Sequence, residues 1–349
     1  MLFVLLTIFT GLFFYDELVN EIYNSVIRCF NVIVPSLYGS MIIACLITES
    51  RFHIVIGKIF SLPARYIFKM RPEIFAVFLI SNISGYPTGA KLLKNIYENG
   101  EISKEEFSRY CCICYSAGPA FVTGTAAAHF TGLLSTGVII FFSCLVSNLI
   151  LAVISGKNHI IPQKTNEKTK CTVSCSSVIR SADCAAHGMI QMCTIITAFS
   201  VFKVLLICSG AVEIISALIS KITPMNTEDC NAAILSLTEI TNISEFCSFK
   251  SFNLPVMAAL FSTGGLCVIM QIFAITGNDI NRKKFLLYRL IGAVFSGIIC
   301  NIICRIFLKD AAAPVSSFMF HSPDQPVLPS LLLIIMSIML ISTEKRAVR

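Results

Sequence analysis

LISNISGYPTGAKLLKNIYENGE, residues 79–101, decides how this chain is to be folded. It opens as an apolar run, breaks at Ser84-Gly85-Tyr86-Pro87-Thr88-Gly89, and resumes on Lys91. Proline has no amide to donate and glycine tolerates the dihedral angles of a sharp turn, so a helix arriving here must stop. The surrounding chain has 349 residues, 55% of them apolar and 13% charged, with a mean hydropathy of +0.79. A soluble domain carries about 25% charged residues. Hiding this much Leu, Ile, Val and Phe from water would leave large apolar patches. The expected fold class is an all-α polytopic membrane protein.

Spanning candidates fall near 2–15, 28–48, 133–154, 185–209, 285–307 and 329–342. The first and last are short against the ~20 residues of a full span. The N-terminus lacks the basic start and cleavage site of a secretory signal, so it reads as a retained first helix. Regions 104–131 and 252–277 are long enough to span but carry Gly and Pro inside them, while 73–98 and 211–250 are interrupted by polar residues.

Charge then orients the chain. Asp16, Glu17 and Glu21 form an acidic first connection, whereas 51–71, 157–170, 278–284 and the EKRAVR tail are basic. Basic connections collect in the cytoplasm. All of them stay there only if 73–98 and 223–250 enter the membrane and leave on the same side, as re-entrant hairpins. Both termini are then cytoplasmic. The order span, hairpin, broken span, plain span occurs twice with opposite direction, which is an inverted repeat of the kind found in secondary transporters. The expected division is 1–27, an N-terminal membrane helix; 28–156, a first repeat with hairpin one; 157–182, a cytoplasmic linker; 183–308, a second repeat with hairpin two; and 309–349, a C-terminal loop and membrane helix.

Net charge is +7, but the basic residues lie in short clusters between apolar runs, so nucleic acid is not an expected partner. Sixteen cysteines are scattered without zinc-finger spacing. The dense group Cys111-Cys112-Ile113-Cys114 is read as part of a helix, with cysteine as a small hydrophobe. The histidines have no metal-ligand spacing. No P-loop, nucleophile elbow or dinucleotide fingerprint occurs, so the expectation is a non-enzyme without cofactor or metal.

The candidate substrate-binding residues lie at four interruptions. Hairpin one gives Ser84, Gly85, Tyr86, Pro87, Thr88, Gly89 and Lys91, and its broken partner helix gives Ser116, Gly118 and Pro119. Hairpin two gives Thr238, Thr241 and Asn242, and its partner gives Ser262, Gly264, Gly265 and Gln271. Freed backbone survives at membrane depth only inside protein or against a polar cavity. There, N–H groups at half-helix starts attract anions and bare carbonyls attract cations. The plainer alternative is a set of glycine turns placed for packing. Lys91 either touches substrate or snorkels to the interface. Glu239 lies in ILSLTEITNI, far from any basic connection. A carboxylate at that depth costs about 3 kcal/mol or more, which marks it as a proton or cation coupling site, the alternative being a protonated acid bonded inside the bundle.

GYPTGAK, GEISKEEFSRY and SAGPAFVTG resemble the first half of the YlbJ-type sporulation integral membrane proteins, and LTEIT with FSTGGLCVIMQ resembles the second. The resemblance covers most of the chain. GYPxGAK is fairly specific, and GG-x-x-V-x-x-Q is weaker alone. The motif carries over onto Gly85, Tyr86, Pro87, Gly89 and Lys91, onto Ser116, Gly118 and Pro119, onto Glu239, and onto Gly265, Val268 and Gln271. Cys267 and Ile269 depart from it, standing where polar residues are usual. That family falls in the wider nucleoside-recognition "Gate" group, related to concentrative nucleoside transporters, which implies paired hairpins and broken helices around a central site.

The resemblance implies movement of dipicolinic acid, a small planar dianion, across the outer forespore membrane during sporulation. Tyr86 would stack on its ring or simply pack. The alternatives are a transporter of nucleosides or another small polar solute, and a non-transporting membrane scaffold of a sporulation complex. Expected partners are the anionic substrate, the lipid bilayer, a coupled proton or cation, and further copies of the chain in a homo-oligomer.

Overall fold

The structure, a computed structural model, describes residues 2–126, 134–156, 174–246 and 253–307. Every regular element among the described residues is helical. Helix α1 covers Leu2–Phe13 and α2 covers Tyr15–Arg28; a π-turn at Cys29–Ile33 then leads without interruption into α3, Val34–Glu49. Short helices α4 (Phe52–Ile59) and α5 (Ser61–Tyr66) precede α6 (Pro72–Ser84) and α7 (Thr88–Glu98). Next come α8 (Lys104–Cys111), α9 (Pro119–Ala126) and α10 (Leu134–Gly156). The second half holds α11 (Cys175–Cys208), α12 (Ala211–Ile222), α13 (Thr227–Thr238), a 3₁₀ turn (Ile240–Glu245), α14 (Asn253–Thr263), α15 (Gly265–Thr276) and α16 (Arg282–Phe307).

Among the described residues five helical stretches are long and apolar enough to cross a membrane: Tyr15–Glu49, Ser135–Gly156, Cys175–Cys208, Asn253–Thr276 and Arg282–Phe307. Helix α16 shows how such a stretch divides its surface. Leu287, Leu290, Val294, Ile298 and Ile302 form an exposed stripe, while Arg289, Gly292, Ser296, Cys300 and Cys304 are buried. Lipid solvates the stripe, so helices associate through close packing and hydrogen bonds rather than through apolar burial. The small residues permit that approach: Ser147 donates to the Gly292 carbonyl at 2.9 Å, and Ser296 donates to that of Ala258 at 3.1 Å. Each such bond is worth roughly 0.6 kcal/mol. Helix α16 is thereby seated against α10 and α14.

The local punctuation has identifiable causes. Pro72 opens α6, where its missing amide would be unpaired anyway, and Gly85 closes it at φ +81°. Ser103 and Glu106 cap α8 reciprocally. Gly264, at φ +74°, separates α14 from α15 inside one apolar stretch. The breaks expected inside 73–98, 104–131 and 252–277 fall at 85–87, 112–118 and 264.

Several expectations are corrected. The acidic connection at 16–21 does not exist: those residues lie on α2, and only Phe14 separates α1 from a helix running to Glu49. Glu21 is tolerated there because Arg28 and Lys203 neutralise it, and the boundary drawn at 27 therefore falls inside a helix. Similarly, residues 175–182 of the expected linker already belong to α11, whose first turn Ser174 caps. The basic connection 51–71 is largely helical, as α4 and α5. Cys112 and Cys114 lie in the break after α8 rather than in a helix. Region 211–250 divides into α12, α13 and the 3₁₀ turn. The 157–170 connection, the 329–342 span and the EKRAVR tail lie outside the described residues.

Candidate functional site

The break after α6 and the break after α8 are held together by backbone. The Tyr86 amide donates to the Ser116 carbonyl at 2.7 Å, and the Tyr86–Pro87 peptide is cis. A Cβ on Gly85 would sit 2.7 Å from the Gly118 nitrogen, and one on Gly89 would strike the Cys114 carbonyl. Glycine is required at both places because another backbone occupies the space a side chain would take.

Two residues absent from the sequence reading, Arg289 and Asn148, close the 112–118 break. Arg289 is 1% exposed; its Nη1 donates to the Tyr115 carbonyl at 3.2 Å and its Nη2 donates to that of Cys112. Its guanidinium lies 4.6 Å above the Tyr115 ring. Asn148 of α10 donates to the same Tyr115 carbonyl at 2.9 Å and to Asn82 Oδ1 of α6 at 3.0 Å. The Cys112 and Tyr115 carbonyls freed by this break are therefore held by side chains of the protein. A cation or amide inside an otherwise apolar span was the available signal, since such residues are costly at that depth.

The second pair of interruptions is built differently. Glu239 caps the 3₁₀ turn, accepting from the Thr241 amide at 2.9 Å and from the Thr241 hydroxyl. Asn242 donates to the carbonyls of Leu235, at 3.2 Å, and Glu239, at 3.0 Å. Gly265 packs on this turn, because a Cβ there would lie 2.9 Å from the Ser236 carbonyl. Thr238 turns back on its own helix, donating to the Leu235 carbonyl at 2.6 Å.

The two halves meet through Tyr115, whose hydroxyl donates to the Thr263 carbonyl at 2.7 Å, immediately before Gly264. A Cβ on Gly264 would collide with that hydroxyl. Tyr86 stacks on Tyr115 with ring centroids 5.0 Å apart and lies within electrostatic reach of Glu239 and Cys267. Glu239 is likewise within reach of Arg28 and Lys203. Tyr86, Ser116, Glu239, Asn242 and Gln271 are all buried. Two residues at this junction carry buried polar atoms without a hydrogen-bond partner, the Tyr86 hydroxyl and Asn148 Oδ1; Thr88 Oγ1 and Gln271 Oε1 are likewise unpartnered. Such atoms are rare in finished interiors, and a polar guest would satisfy them.

Other candidates stand apart from this meeting point. Lys91 points into the seam between α3 and α11, where a Cβ on Gly188 would lie 2.6 Å from its Nζ. Ser262 faces α16 across Gly292. Lys94, rather than Lys91, reaches a loop carboxylate, pairing with Asp279 at 2.8 Å. Gln271 Nε2 has only the Cys267 sulfur, at 3.6 Å, in keeping with the apolar departure at 267. Among the described residues no group of His, Cys, Asp and Glu could hold a metal ion.

Two charged residues beyond the sequence reading border the Glu239 turn. Lys203 Nζ donates to Asn242 Oδ1 at 2.9 Å and to Glu245 Oε1 at 2.7 Å, and lies 3.2 Å from Glu21. Arg28 contacts Glu21 at 2.5 Å and Glu245 at 3.9 Å, and it immediately precedes the π-turn. Glu245 is thus one arm of a charge cluster. The chain matches no family model, no curated protein and no solved structure.

Proposed function

We propose that this protein carries a small aromatic dicarboxylate, dipicolinate, across the outer forespore membrane of a sporulating cell. The α6–α7 pair and the α13–3₁₀ pair act as re-entrant hairpins, α8–α9 and α14–α15 as the broken helices of an inverted repeat, and both termini face the cytoplasm. The observation that carries the reading is the junction at Tyr115. There the breaks at 85–87, 112–118 and 264 meet, with the unpartnered Tyr86 hydroxyl and Asn148 Oδ1 beside them. A scaffold has no use for this arrangement, because each unpaired backbone or polar group at membrane depth costs several kcal/mol.

The resemblance of GYPTGAK, SAGP and LTEIT to the YlbJ-type proteins supports the substrate, and the cations beside Glu239 suit an anion. Glu239 forms no ion pair among the described residues. A carboxylate so placed serves as the proton or cation site rather than as a ligand of a dianion. The test is complementation of a deletion strain, scoring dipicolinate inside spores. The wild-type chain restores loading, and Glu239→Gln, which keeps the shape and removes the charge, does not. Normal loading in the deletion strain refutes the reading. Uptake of nucleosides but not dipicolinate into proteoliposomes would replace it with nucleoside transport.

A further inference from the structure

Arg289 spends its buried charge on carbonyl oxygens that have nowhere else to turn. Lys203 spends its charge on carboxylates, and those can be exchanged. Its side chain is 7% exposed, whereas that of Glu245, resting on it at 2.7 Å, is 37% exposed. Among the described residues two cations, Arg28 and Lys203, face two carboxylates, Glu21 and Glu245. That balance makes the cluster tolerable at low dielectric, and removing one member alone would be costly. Glu21 Oε1 touches both cations, at 2.5 and 3.2 Å, and Glu245 Oε1 also reaches both, at 2.7 and 3.9 Å. One carboxylate therefore spans the pair, and the pair is a carboxylate seat.

We propose that Lys203, backed by Arg28, is the residue that selects anionic substrate, and that Glu245 occupies the substrate's place in this conformation. The inference rests on the transport reading above and names the residues that recognise charge within it. An incoming carboxylate that displaces Glu245 takes over its contacts with Lys203 and Arg28, so neither cation is stranded in an apolar surrounding. A neutral ligand cannot make the exchange and leaves Glu245 seated. Lys203 also holds Asn242 Oδ1, so the exchange is felt at once by the turn that carries Glu239 and Thr241. Lys91, which makes no such contact, is not required for charge selection.

The test uses the purified full-length protein and equilibrium binding of two probes, dipicolinate and its neutral diamide, pyridine-2,6-dicarboxamide. Wild type is expected to prefer the dianion. Lys203→Gln leaves Arg28 alone against two carboxylates, so the variant to trust is Lys203→Gln with Glu245→Gln, in which Arg28 and Glu21 still cancel. Its preference for the dianion should fall by about tenfold or more, the scale of a lost buried charge contact. Lys203→Arg should retain the preference, and Glu245→Gln alone should tighten dipicolinate by removing its competitor. A monodisperse double variant that keeps the wild-type preference overturns the role of Lys203 and leaves the transport reading standing. A wild type that binds both probes equally also overturns it. A wild type that binds neither overturns the transport reading, and this inference with it.

Discussion

Gly85→Ala tests the geometry on which the α6–α7 break depends. Gly85 sits at φ +81° and ψ 166°, a region populated almost only by glycine, and holding another residue there costs about 1–3 kcal/mol. The new methyl would also stand 2.7 Å from the Gly118 nitrogen. Because that neighbour is backbone, relief means moving 116–118 away and weakening the 2.7 Å bond from the Tyr86 amide to the Ser116 carbonyl. A hydrogen bond of this kind contributes about 1 kcal/mol. The sum is about 2–4 kcal/mol, a large part of the ~5–15 kcal/mol that holds a folded protein together.

The assay is thermal melting of the purified protein in detergent, with Gly39→Ala as the internal control. Gly39 lies within α3, and a Cβ there meets nothing within 4 Å. Alanine at that position should be neutral or should stabilise by about 0.5–1 kcal/mol. The expected result is a clear drop for Gly85→Ala and none for Gly39→Ala. Equal melting of the Gly85 variant and wild type would falsify the argument, as would an equal loss in both variants.

Tyr115→Phe removes one hydroxyl and with it the 2.7 Å tie to Thr263. It should cost about 1 kcal/mol in the same melt, and it should rescue Gly264→Ala only in part, because that methyl would still stand 2.9 Å from the ring and the residue would keep its φ of +74°. At the loop before α16, Lys94, hydrogen-bonded at 2.8 Å, and Lys104 at 3.3 Å hold Asp279 below the usual aspartate range. With its folded value depressed, the unfolded chain binds the proton more readily. The contribution is therefore present above the ordinary aspartate value and is lost as pH falls through the folded one. Wild type should lose melting temperature across that acid window relative to Asp279→Asn, and added salt should shrink the difference because the group is exposed. Identical acid profiles would remove the pair from any account of stability.

The helical class and the break positions were readable because they rest on local chemistry. Gly85, Pro87 and Gly264 announce their breaks by backbone rules alone, and the apolar runs announce the spans. The acidic connection was misread because Asp16, Glu17 and Glu21 carry a loop's composition. What lets Glu21 lie within the helix is Lys203, more than a hundred and eighty residues away, together with Arg28 two turns along. The same limit hid Arg289 and Asn148. Each stands out in its own span as an expensive residue, but only the fold shows that both cap one carbonyl, that of Tyr115. Lys91 illustrates the converse: a lysine beside a conspicuous motif turns out to face the α3–α11 seam, through a gap that Gly188 leaves open.

The grip of Arg289 and Asn148 on the 112–118 break has a mechanical consequence. Pulling α16 away from that segment would leave the Arg289 guanidinium and the Cys112 carbonyl without these partners, at several kcal/mol for each stranded group. Segment 112–118, α10 and α16 therefore travel as one block whenever the molecule changes shape. Relative motion is cheapest where the fastening is made of long charged side chains that water or another ion can replace, which is the boundary between the Glu239 turn and the α2–α11 pair.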